Sequence, residues 1–352
     1  MKKILLIDDS ALMRNMMSDI IEKESGVCVA DTAENGYVAI QLLKEGNRYD
    51  LILLDINMPK LNGVGFLEYL NRSEYKIPVL IVSSIASQST AETLRALELG
   101  AYDFVKKPGG PNGRVEFKNQ LCEKIQCAFR LNHLLHGSQK QKMQTRSVGN
   151  KERSNILSGD ARDKLIFIAS STGGPKALQS VIPLIPENIG CPVVVVQHMP
   201  EGFTGSLADR LDEMSPCKVV EAADGAVLER DIVYVAKGGN QLRVETVGGK
   251  GHRLAVSKEP ARNGLRPCAD IFLESLMNSG YKRIICAVLT GMGSDATKGL
   301  LQLKQVKDVY TVGQSKETCV VYGMPRSVAQ AGVVDVVADL TDVADLLVKR
   351  VR

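Results

Sequence analysis

Short apolar segments that alternate with helix-length segments are the feature of this sequence that most limits its fold. In the first third, helix-length segments such as Leu12–Glu24 and Thr90–Gly100 separate apolar segments of strand length. The strand-like segments are ILLI (4–7), VCVA (27–30), LILL (51–54), VLIV (79–82) and DFV (103–105). This order predicts a five-stranded parallel sheet with helices on both faces.

Charged and polar residues follow four of these predicted strands. Asp8 and Asp9 follow the first strand, Asp55 the third, Ser83 the fourth and Lys107 the fifth. In open parallel sheets, ligands bind beyond the carboxyl ends of the strands, so we expect these side chains at one edge. Three carboxylates there repel each other unless a cation neutralises them, and Mg²⁺ prefers such oxygen ligands.

The residues at this edge of the predicted sheet indicate a site for phosphoryl transfer. One carboxylate could act as the nucleophile and form an acyl phosphate, while the metal screens the incoming phosphoryl group. Lys107 would pair with the phosphoryl oxygens, and the Ser83 hydroxyl would hydrogen-bond to one of them. The alternative is that each of these residues is only a solvated loop residue.

The same residues carry a family resemblance. The order D-D, D, S, K-P, together with MP at 58–59 and the following LNGVGFL, resembles the receiver domain of two-component response regulators. The resemblance covers roughly residues 1–130. It implies a flavodoxin-like fold that a partner histidine kinase phosphorylates on Asp55, with Mg²⁺ held by Asp8, Asp9 and Asp55.

A polar segment divides the chain after the first pattern. A helical segment near Val115–Leu135 is followed by HGSQKQKMQTRSVGNKERSNILSGDARD, which is basic and nearly free of bulky apolar residues. Such composition is typical of a linker. We therefore expect a first domain at 1–130, a linker at 131–163 and a second domain at 164–352.

The second domain repeats the alternating pattern. Its strand-like segments are LIFIA (165–169), PVVVVQ (192–197), IVYVA (232–236), RIICAVLT (283–290) and VYTVG (309–313). Helical segments such as Phe203–Met214 lie between them, which predicts a doubly wound α/β fold. No helix-turn-helix with a basic recognition helix is apparent, which argues against a transcription factor.

Three chemically capable residues follow three of these strands. Ser171 follows the first strand, His198 the second and Asp295 the fourth. They have the side chains of a nucleophile, a base and an orienting carboxylate. Unpaired backbone N–H groups at the start of the helix after SSTGGP could form an oxyanion hole beside the serine. His252, in GKGHR, is expected in a turn.

Two simpler interpretations of SSTGGPK stay open. Ser170 or Ser171 could merely cap the following helix, since serines are common at that position. The segment could also be an anion cradle in a phosphate-binding or nucleotide-binding domain. It lacks the G-x-G-x-x-G and Walker A spacings, which disfavours the second of these.

Longer motifs carry a second resemblance. SSTGGP, QHMPEGFTGSLADRL, DGAVLERDIVYVA, RPCADIFLESL, LTGMGSDATKG and VVYGMPRSVAQAG together resemble the catalytic domain of the CheB family. The resemblance implies hydrolysis of glutamate methyl esters, and deamidation of glutamines, on the cytoplasmic domains of methyl-accepting chemoreceptors. By motif position, Ser171 is the nucleophile, His198 the base and Asp295 the orienting acid.

The same resemblance has further implications. Thr172 and Met292 match residues that line the active site and its oxyanion hole. The receiver is expected to cover the active site until Asp55 is phosphorylated. The esterase reaction itself is expected to need no cofactor.

Some positions depart from the family pattern. Ala296 and Thr297 follow the acid where glycine and alanine are usual, so a positive φ at 296 would strain the backbone. In the segment IASS, Ala169 and Ser170 replace smaller residues. These departures leave open a regulator whose second domain binds a receptor or other protein without catalysis.

Composition excludes several other classes. A net charge of +4, from 44 basic and 40 acidic residues, is too small to predict nucleic acid or a membrane surface as the main partner. No apolar segment approaches a membrane span, and MKKILLIDDS lacks the apolar core of a signal peptide. The eight cysteines include no C-x-x-C pair, which favours reduced thiols in a cytoplasmic protein over a disulfide framework or a zinc site.

Overall fold

The computed structural model describes residues 1–24, 26–84, 87–109, 113–137, 163–248 and 251–352. The first part contains five strands that alternate with five helices. These are β1 (Lys2–Ile7), α1 (Ala11–Ile21), β2 (Val27–Ala33), α2 (Gly36–Lys44), β3 (Leu51–Leu54), α3 (Gly63–Arg72), β4 (Val79–Ser83), α4 (Ser87–Glu98), β5 (Asp103–Lys106) and α5 (Gly113–Gly137).

The five strands form one parallel sheet in the order β2-β1-β3-β4-β5, as predicted. All four residues of β3 are buried, because helices cover both faces of the central strands. Local sequence sets where some helices begin. Ser10, Asn35 and Asn62 each accept a backbone N–H at a helix start, which satisfies donors that have no partner inside the helix.

The second part of the chain begins at β6 (Lys164–Ser170). Its further elements are α6 (Gly174–Val181), a 3₁₀ turn (Ile182–Leu184), β7 (Val193–Gln197), α7 (Thr204–Met214), β8 (Lys218–Glu221), β9 (Ile232–Val235), β10 (Gln241–Val247), β11 (Gly251–Ser257), α8 (Ala269–Leu276), β12 (Arg283–Val288), α9 (Thr297–Leu303), β13 (Asp308–Gln314), α10 (Met324–Gln330), β14 (Val336–Ala338) and α11 (Leu340–Val351).

Seven of these strands form a second parallel sheet, in the order β14-β13-β12-β6-β7-β9-β8. This confirms the predicted α/β fold. Strand β6 lies at the centre, all seven of its residues are buried, and it pairs with β12 on one side and β7 on the other. The carboxyl ends of these three strands therefore meet at one edge.

The expectation of a turn at His252 is wrong. His252 lies in β11, which pairs with β10 in an antiparallel hairpin outside the main sheet. Its imidazole is buried and stacks on Tyr281 with ring centroids 4.1 Å apart, and its Nε2 atom accepts the N–H of Gly280. His252 thus has a packing role inside the second domain.

The predicted linker is only partly described. Helix α5 continues to Gly137, beyond the expected end near Leu135. Residues 138–162 lie outside the described part of the chain. The linker boundaries at 131 and 163 therefore stay a prediction.

The two sheets are joined by contacts between their helices and loops. Phe104 of β5 packs against Phe203, just before α7, with ring centroids 4.5 Å apart. At the edge of this apolar contact, Glu98 of α4 accepts a hydrogen bond of 2.6 Å from Nε of Arg210 in α7. Within the described ranges, no helix is long and apolar enough to cross a membrane.

Candidate active site and carboxylate site

The structure brings Asp8, Asp9 and Asp55 together at the carboxyl edge of the first sheet. One carboxylate oxygen from each lies within 4.8 Å of the others. Asp8 and Asp55 are buried, whereas Asp9 is exposed. Two of the three carboxylates are therefore poorly hydrated and depend on nearby positive charge.

Lys107 supplies part of that charge. Its Nζ atom lies 2.8 Å from Oδ2 of Asp8 and 2.7 Å from Oδ2 of Asp55. Ser83 is buried beside it, since the backbone N–H of Lys107 donates to the Ser83 carbonyl at 2.7 Å. All five residues predicted from the strand ends thus meet at this edge.

Burial raises the pKa of Asp55, and the neighbouring Asp8 adds to this effect, while Lys107 opposes it. Burial acts to lower the pKa of Lys107, but the carboxylates of Asp55 and Asp8 outweigh it and raise that pKa. Three carboxylates and one ammonium leave an excess of two negative charges. A divalent cation with a preference for oxygen ligands fits this site.

The turn between β6 and α6 holds Ser171 at the edge of the second sheet. Its backbone N–H donates to the Thr290 carbonyl at 3.0 Å, and its own carbonyl accepts the N–H of Gly174 at 2.7 Å. Gly173 has a φ of 75°, and a Cβ atom there would lie 2.6 Å from Cβ of Val320. The double glycine is needed because this tight turn leaves no room for side chains.

Neither serine caps α6. The residue before that helix is Gly173, and no side chain caps the helix. Ser170 is buried and donates its hydroxyl hydrogen to Oε1 of Gln197, whereas Ser171 is half-buried. The helix-cap interpretation of these serines is therefore wrong.

His198 follows β7, and its Nε2 atom lies 2.7 Å from Oδ2 of Asp295. Its backbone N–H donates to the carbonyl of Ser170 at 3.0 Å, which continues the β6 to β7 pairing up to the serine turn. Nδ1 is therefore the ring nitrogen of His198 that does not contact the Asp295 carboxylate.

The start of α8 holds the Asp295 carboxylate. Its Oδ2 atom accepts the backbone N–H of Ala269 at 2.6 Å, and its Oδ1 atom accepts that of Asp270 at 2.9 Å and the thiol of Cys268 at 3.2 Å. Burial acts to raise the pKa of Asp295, but His198 and these backbone donors outweigh it and keep the pKa well below its usual range. Asp295 is therefore a fixed anion beside the imidazole.

Met292 and Thr172 lie on the two loops that meet at Ser171. A Cβ atom on Gly291 would be 2.7 Å from Cβ of Ser171, so the loop after β12 passes directly against the serine. Thr172 is buried, and its carbonyl accepts the hydroxyl of Thr290 at 3.0 Å. Within the described residues, no acceptor is recorded for the backbone N–H of Thr172 or of Met292.

Helix α5 of the first domain touches this loop. The Sγ atom of Cys127 lies 2.9 Å from the Sδ atom of Met292. Leu97, Gly100, Ala101 and Tyr102 of the same domain line a cavity of about 90 Å³ together with Gly173 and Val320 of the second part of the chain. The first domain thus contacts both loops that surround Ser171.

Ala296, the residue directly after Asp295, adopts the positive φ that was expected to strain the backbone at this position. Ala296 has a φ of 74°, and its side chain is fully buried. A left-handed conformation costs a residue with a Cβ atom about 1 to 2 kcal/mol. The next residue is accommodated, because the Thr297 hydroxyl lies 3.0 Å from the Ser327 hydroxyl.

Sequence reasoning missed three residues at this site. Cys268 and Asp270 approach Asp295 through the start of α8, and Gln197 lies between the serine and histidine loops. Gln197 is a polar residue at the end of an apolar strand segment, and this was the one sequence pattern that could have identified it as part of the site. The positions of Cys268 and Asp270 depend on a long-range contact that no local pattern encodes.

Comparisons with known proteins find a matching family for each of the two parts of the chain. The family model described as CheB methylesterase matches residues 166–347, and the one described as response regulator receiver domain matches residues 4–116. The chain is 38% identical over 350 residues to a protein-glutamate methylesterase/protein-glutamine glutaminase of Clostridium acetobutylicum, covering 99% of this chain and 98% of the relative.

Two further similarities extend this result. A protein of the same name from Bacillus subtilis is 37% identical over 357 residues, covering 98% of this chain and 97% of the relative. The crystal structure of the CheB methylesterase catalytic domain of Thermotoga maritima is 40% identical with a TM-score of 0.51, covering 53% of this chain and 98% of that one.

Proposed function

This chain belongs to the CheB methylesterase family and carries a receiver domain, and we propose that it hydrolyses glutamate methyl esters on proteins by a mechanism using Ser171, His198 and Asp295. The observation that carries the mechanism is the 2.7 Å contact between His198 and Asp295 at the sheet edge that also bears Ser171. The relatives' names support the activity.

In the first step, the Ser171 oxygen attacks the ester carbonyl carbon while Nδ1 of His198 takes the hydroxyl proton. The Asp295 carboxylate stabilises the imidazolium that forms. The imidazolium then protonates the departing methoxide, so that methanol leaves and the glutamyl group remains bonded to Ser171. Water, deprotonated by the same imidazole, releases the glutamate side chain and restores the serine.

The backbone N–H groups of Thr172 and Met292 are our candidates for the oxyanion hole. The two loops that carry them meet at Ser171, and backbone donors in such places stabilise the charge that develops on the carbonyl oxygen. No side-chain hydrogen bond of Ser171 is recorded within the described residues. In enzymes of this kind such a bond often forms only when substrate is bound.

The same groups can deamidate glutamine. Ser171 would attack the amide carbon, and the imidazolium of His198 would protonate the leaving nitrogen to release ammonia. The name shared by the relatives, protein-glutamine glutaminase, supports this second reaction. We propose that both reactions use only residues of the chain, with no cofactor.

We propose that the receiver domain controls this chemistry through phosphorylation of Asp55. Asp8, Asp9 and Asp55 would hold Mg²⁺, which when bound screens the negative charge of an incoming phosphoryl group. Lys107 and the Ser83 hydroxyl would then contact the phosphoryl oxygens. The contact of Cys127 with Met292 supports a receiver that limits access to Ser171 before phosphorylation.

The remaining parts of the proposal concern context. We propose that the substrates are methyl-accepting chemoreceptors, that the phosphoryl donor is a chemotaxis histidine kinase, and that the protein acts in the cytoplasm. We also propose domain limits of 1–130 for the receiver, 131–163 for the linker and 164–352 for the catalytic domain.

Methanol release from methylated receptor membranes tests the activity. The full-length chain, with Mg²⁺ and acetyl phosphate, should release methanol, and the Ser171→Ala variant should release almost none. If the wild-type chain binds the membranes but releases no more methanol than Ser171→Ala, the chain is a binding protein and the catalytic proposal is wrong.

A further inference from the structure

The Gln197 side chain connects the serine loop to the histidine loop. It is 1% exposed and is the last residue of β7, directly before His198. Its Nε2 atom donates to the backbone carbonyl of Ser171 at 2.9 Å and to that of His198 at 3.0 Å. One amide group therefore binds the backbone of the proposed nucleophile and of the proposed base.

A third hydrogen bond fixes which way this amide points. The Ser170 hydroxyl donates to Oε1 of Gln197 at 2.6 Å. Rotating the amide by half a turn would place its oxygen against the two carbonyl oxygens, where no donor is present.

The start of α6 packs directly against the Gln197 amide. A Cβ atom on Gly174 would overlap Oε1 of Gln197 and would lie 2.9 Å from Cβ of Ser170. The start of α6 thus approaches so closely that the amide fills the space a side chain would need. Gly174 is required for this reason as well as for the turn.

The Gln197 amide lies where the pairing of strands β6 and β7 ends. Strands β6 and β7 are paired up to Ser170 and Gln197, and the last backbone bond runs from the N–H of His198 to the carbonyl of Ser170. Ser171 and His198 lie one residue beyond this point on their strands. The Gln197 amide continues the connection between the two chain segments past the last backbone bond.

We propose that Gln197, oriented by Ser170, is a positioning residue that sets the separation of the Ser171 hydroxyl and the His198 imidazole. The inference rests on the proposed function, because it concerns the same serine and histidine. A misplacement of about 1 Å can lower an enzymatic rate about 100-fold, so a shared anchor for nucleophile and base has a large effect on turnover.

Three variants of the full-length chain test this role. Gln197→Met removes all three hydrogen bonds of the amide at similar side-chain length, and Ser170→Ala removes only the orienting bond. Tyr234→Phe is the control, because the Tyr234 side chain is also buried and its hydroxyl also makes hydrogen bonds to backbone, accepting the N–H of Glu229 and donating to the carbonyl of Val227, neither of which contacts Ser171, His198 or Asp295.

Kinetics of methanol release, with Mg²⁺ and acetyl phosphate present, give the first readout. We expect Gln197→Met to lower kcat about 100-fold with little change in KM, because the amide touches backbone behind the catalytic groups and no substrate. Ser170→Ala should lower kcat by less than about tenfold, since the two bonds to the carbonyls remain. Tyr234→Phe should keep a nearly wild-type kcat.

The rate at which diisopropyl fluorophosphate labels Ser171 gives a second readout, which needs no receptor. In that reaction the Ser171 oxygen bonds to phosphorus, fluoride leaves and His198 takes the proton. Gln197→Met should slow labelling as strongly as it slows turnover. In a His198→Ala background the same substitution should have no further effect, because residues that act as one unit are not additive.

The outcomes separate this inference from the proposed function. A wild-type chain that releases no methanol overturns the proposed function, and the labelling rates still decide the role of Gln197. Equal labelling and turnover in Gln197→Met and wild type, or an equal loss in Tyr234→Phe, overturn the positioning role. If Gln197→Met does not fold, Ser170→Ala decides, and its wild-type kcat and labelling rate would count against the inference.

Discussion

Nε2 of His198 lies 2.7 Å from Oδ2 of Asp295, and this contact leaves Nδ1 as the ring nitrogen that the proposed mechanism assigns to Ser171. Nε2–H of the neutral imidazole donates a hydrogen bond to the ionised carboxylate, so the lone pair of the ring is on Nδ1. The same carboxylate is held by backbone N–H groups of Ala269 and Asp270. The tautomer of the base is therefore set by the first turn of α8, through one aspartate.

Asp295→Asn should lower kcat by about 10⁴-fold and leave KM nearly unchanged, in line with the loss seen when the corresponding carboxylate of a serine protease is replaced. The asparagine amide can present an N–H to the imidazole and so favour the wrong tautomer. Methanol release at saturating receptor methylation measures the change. A variant with wild-type turnover would remove Asp295 from the mechanism.

Asp55→Asn should abolish labelling of the chain by ³²P-acetyl phosphate in the presence of Mg²⁺, because the amide cannot form an acyl phosphate. Circular dichroism should remain that of the wild type, since asparagine has the same shape. Asp19→Asn is a suitable control, because Asp19 is an exposed carboxylate on α1. Stoichiometric labelling of Asp55→Asn would place the phosphorylation site elsewhere.

Glu98→Gln should raise methanol release by the unphosphorylated chain several-fold, because it weakens the ionic contact of α4 with Arg210 across the domain interface. Glu213→Gln is the matched control: Glu213 binds the same arginine from within α7 and crosses no interface. Exposed ion pairs contribute little, about 1 kcal/mol or less, so the increase should be modest and smaller at high salt. An equal increase in both variants would show that loss of either partner of Arg210 has the same effect, and that the interface pair has no special role.

Asp270 should make the stability of the catalytic domain fall as pH rises. Burial raises its pKa to about 6, with Asp295 and Glu274 adding to the shift, while the Gly299 N–H and Arg262 oppose it. A group whose pKa is raised on folding contributes stability that is complete below its unfolded pKa. That contribution is lost as the pH rises through about 6.

Urea unfolding of wild type and Asp270→Asn at pH 4.5 and pH 7.5 measures this contribution. Asparagine can still accept the Gly299 N–H but does not ionise, so the variant should gain about 2 kcal/mol relative to the wild type between the two pH values. A constant difference between the two proteins across this range would show that Asp270 has the same proton affinity in the folded and unfolded chain.

Much of the fold and the placement of the site residues follow from local sequence. Parallel strands bring their carboxyl ends together, so residues directly after strands, such as Asp55 and Ser171, could be placed at two edges from the alternating pattern alone. The β10 and β11 hairpin, with His252 in it, was not foreseen, although Leu242 and Val244 in β10 and Leu254 and Val256 in β11 alternate with other residues as strand residues do.

Contacts between segments that are distant in the sequence could not be predicted either. The N–H groups of Ala269 and Asp270 reach Asp295 only because α8 packs beside the loop after β12. The approach of Cys127 to Met292 joins residues 165 positions apart in different domains. Such pairs depend on how complete elements pack, which strand and helix periodicity does not encode.

The short strand β5 connects the carboxylate site of the first domain to the interface between the two domains. Lys107, at its end, binds the Asp55 carboxylate, and Phe104, within it, packs on Phe203 of the catalytic domain. Three residues of extended backbone span about 10 Å, and hydrogen bonds to β4 keep that span stiff. β5 is therefore a short, stiff connection between the carboxylate site and the contact of the two domains, and only three residues of extended backbone separate one from the other.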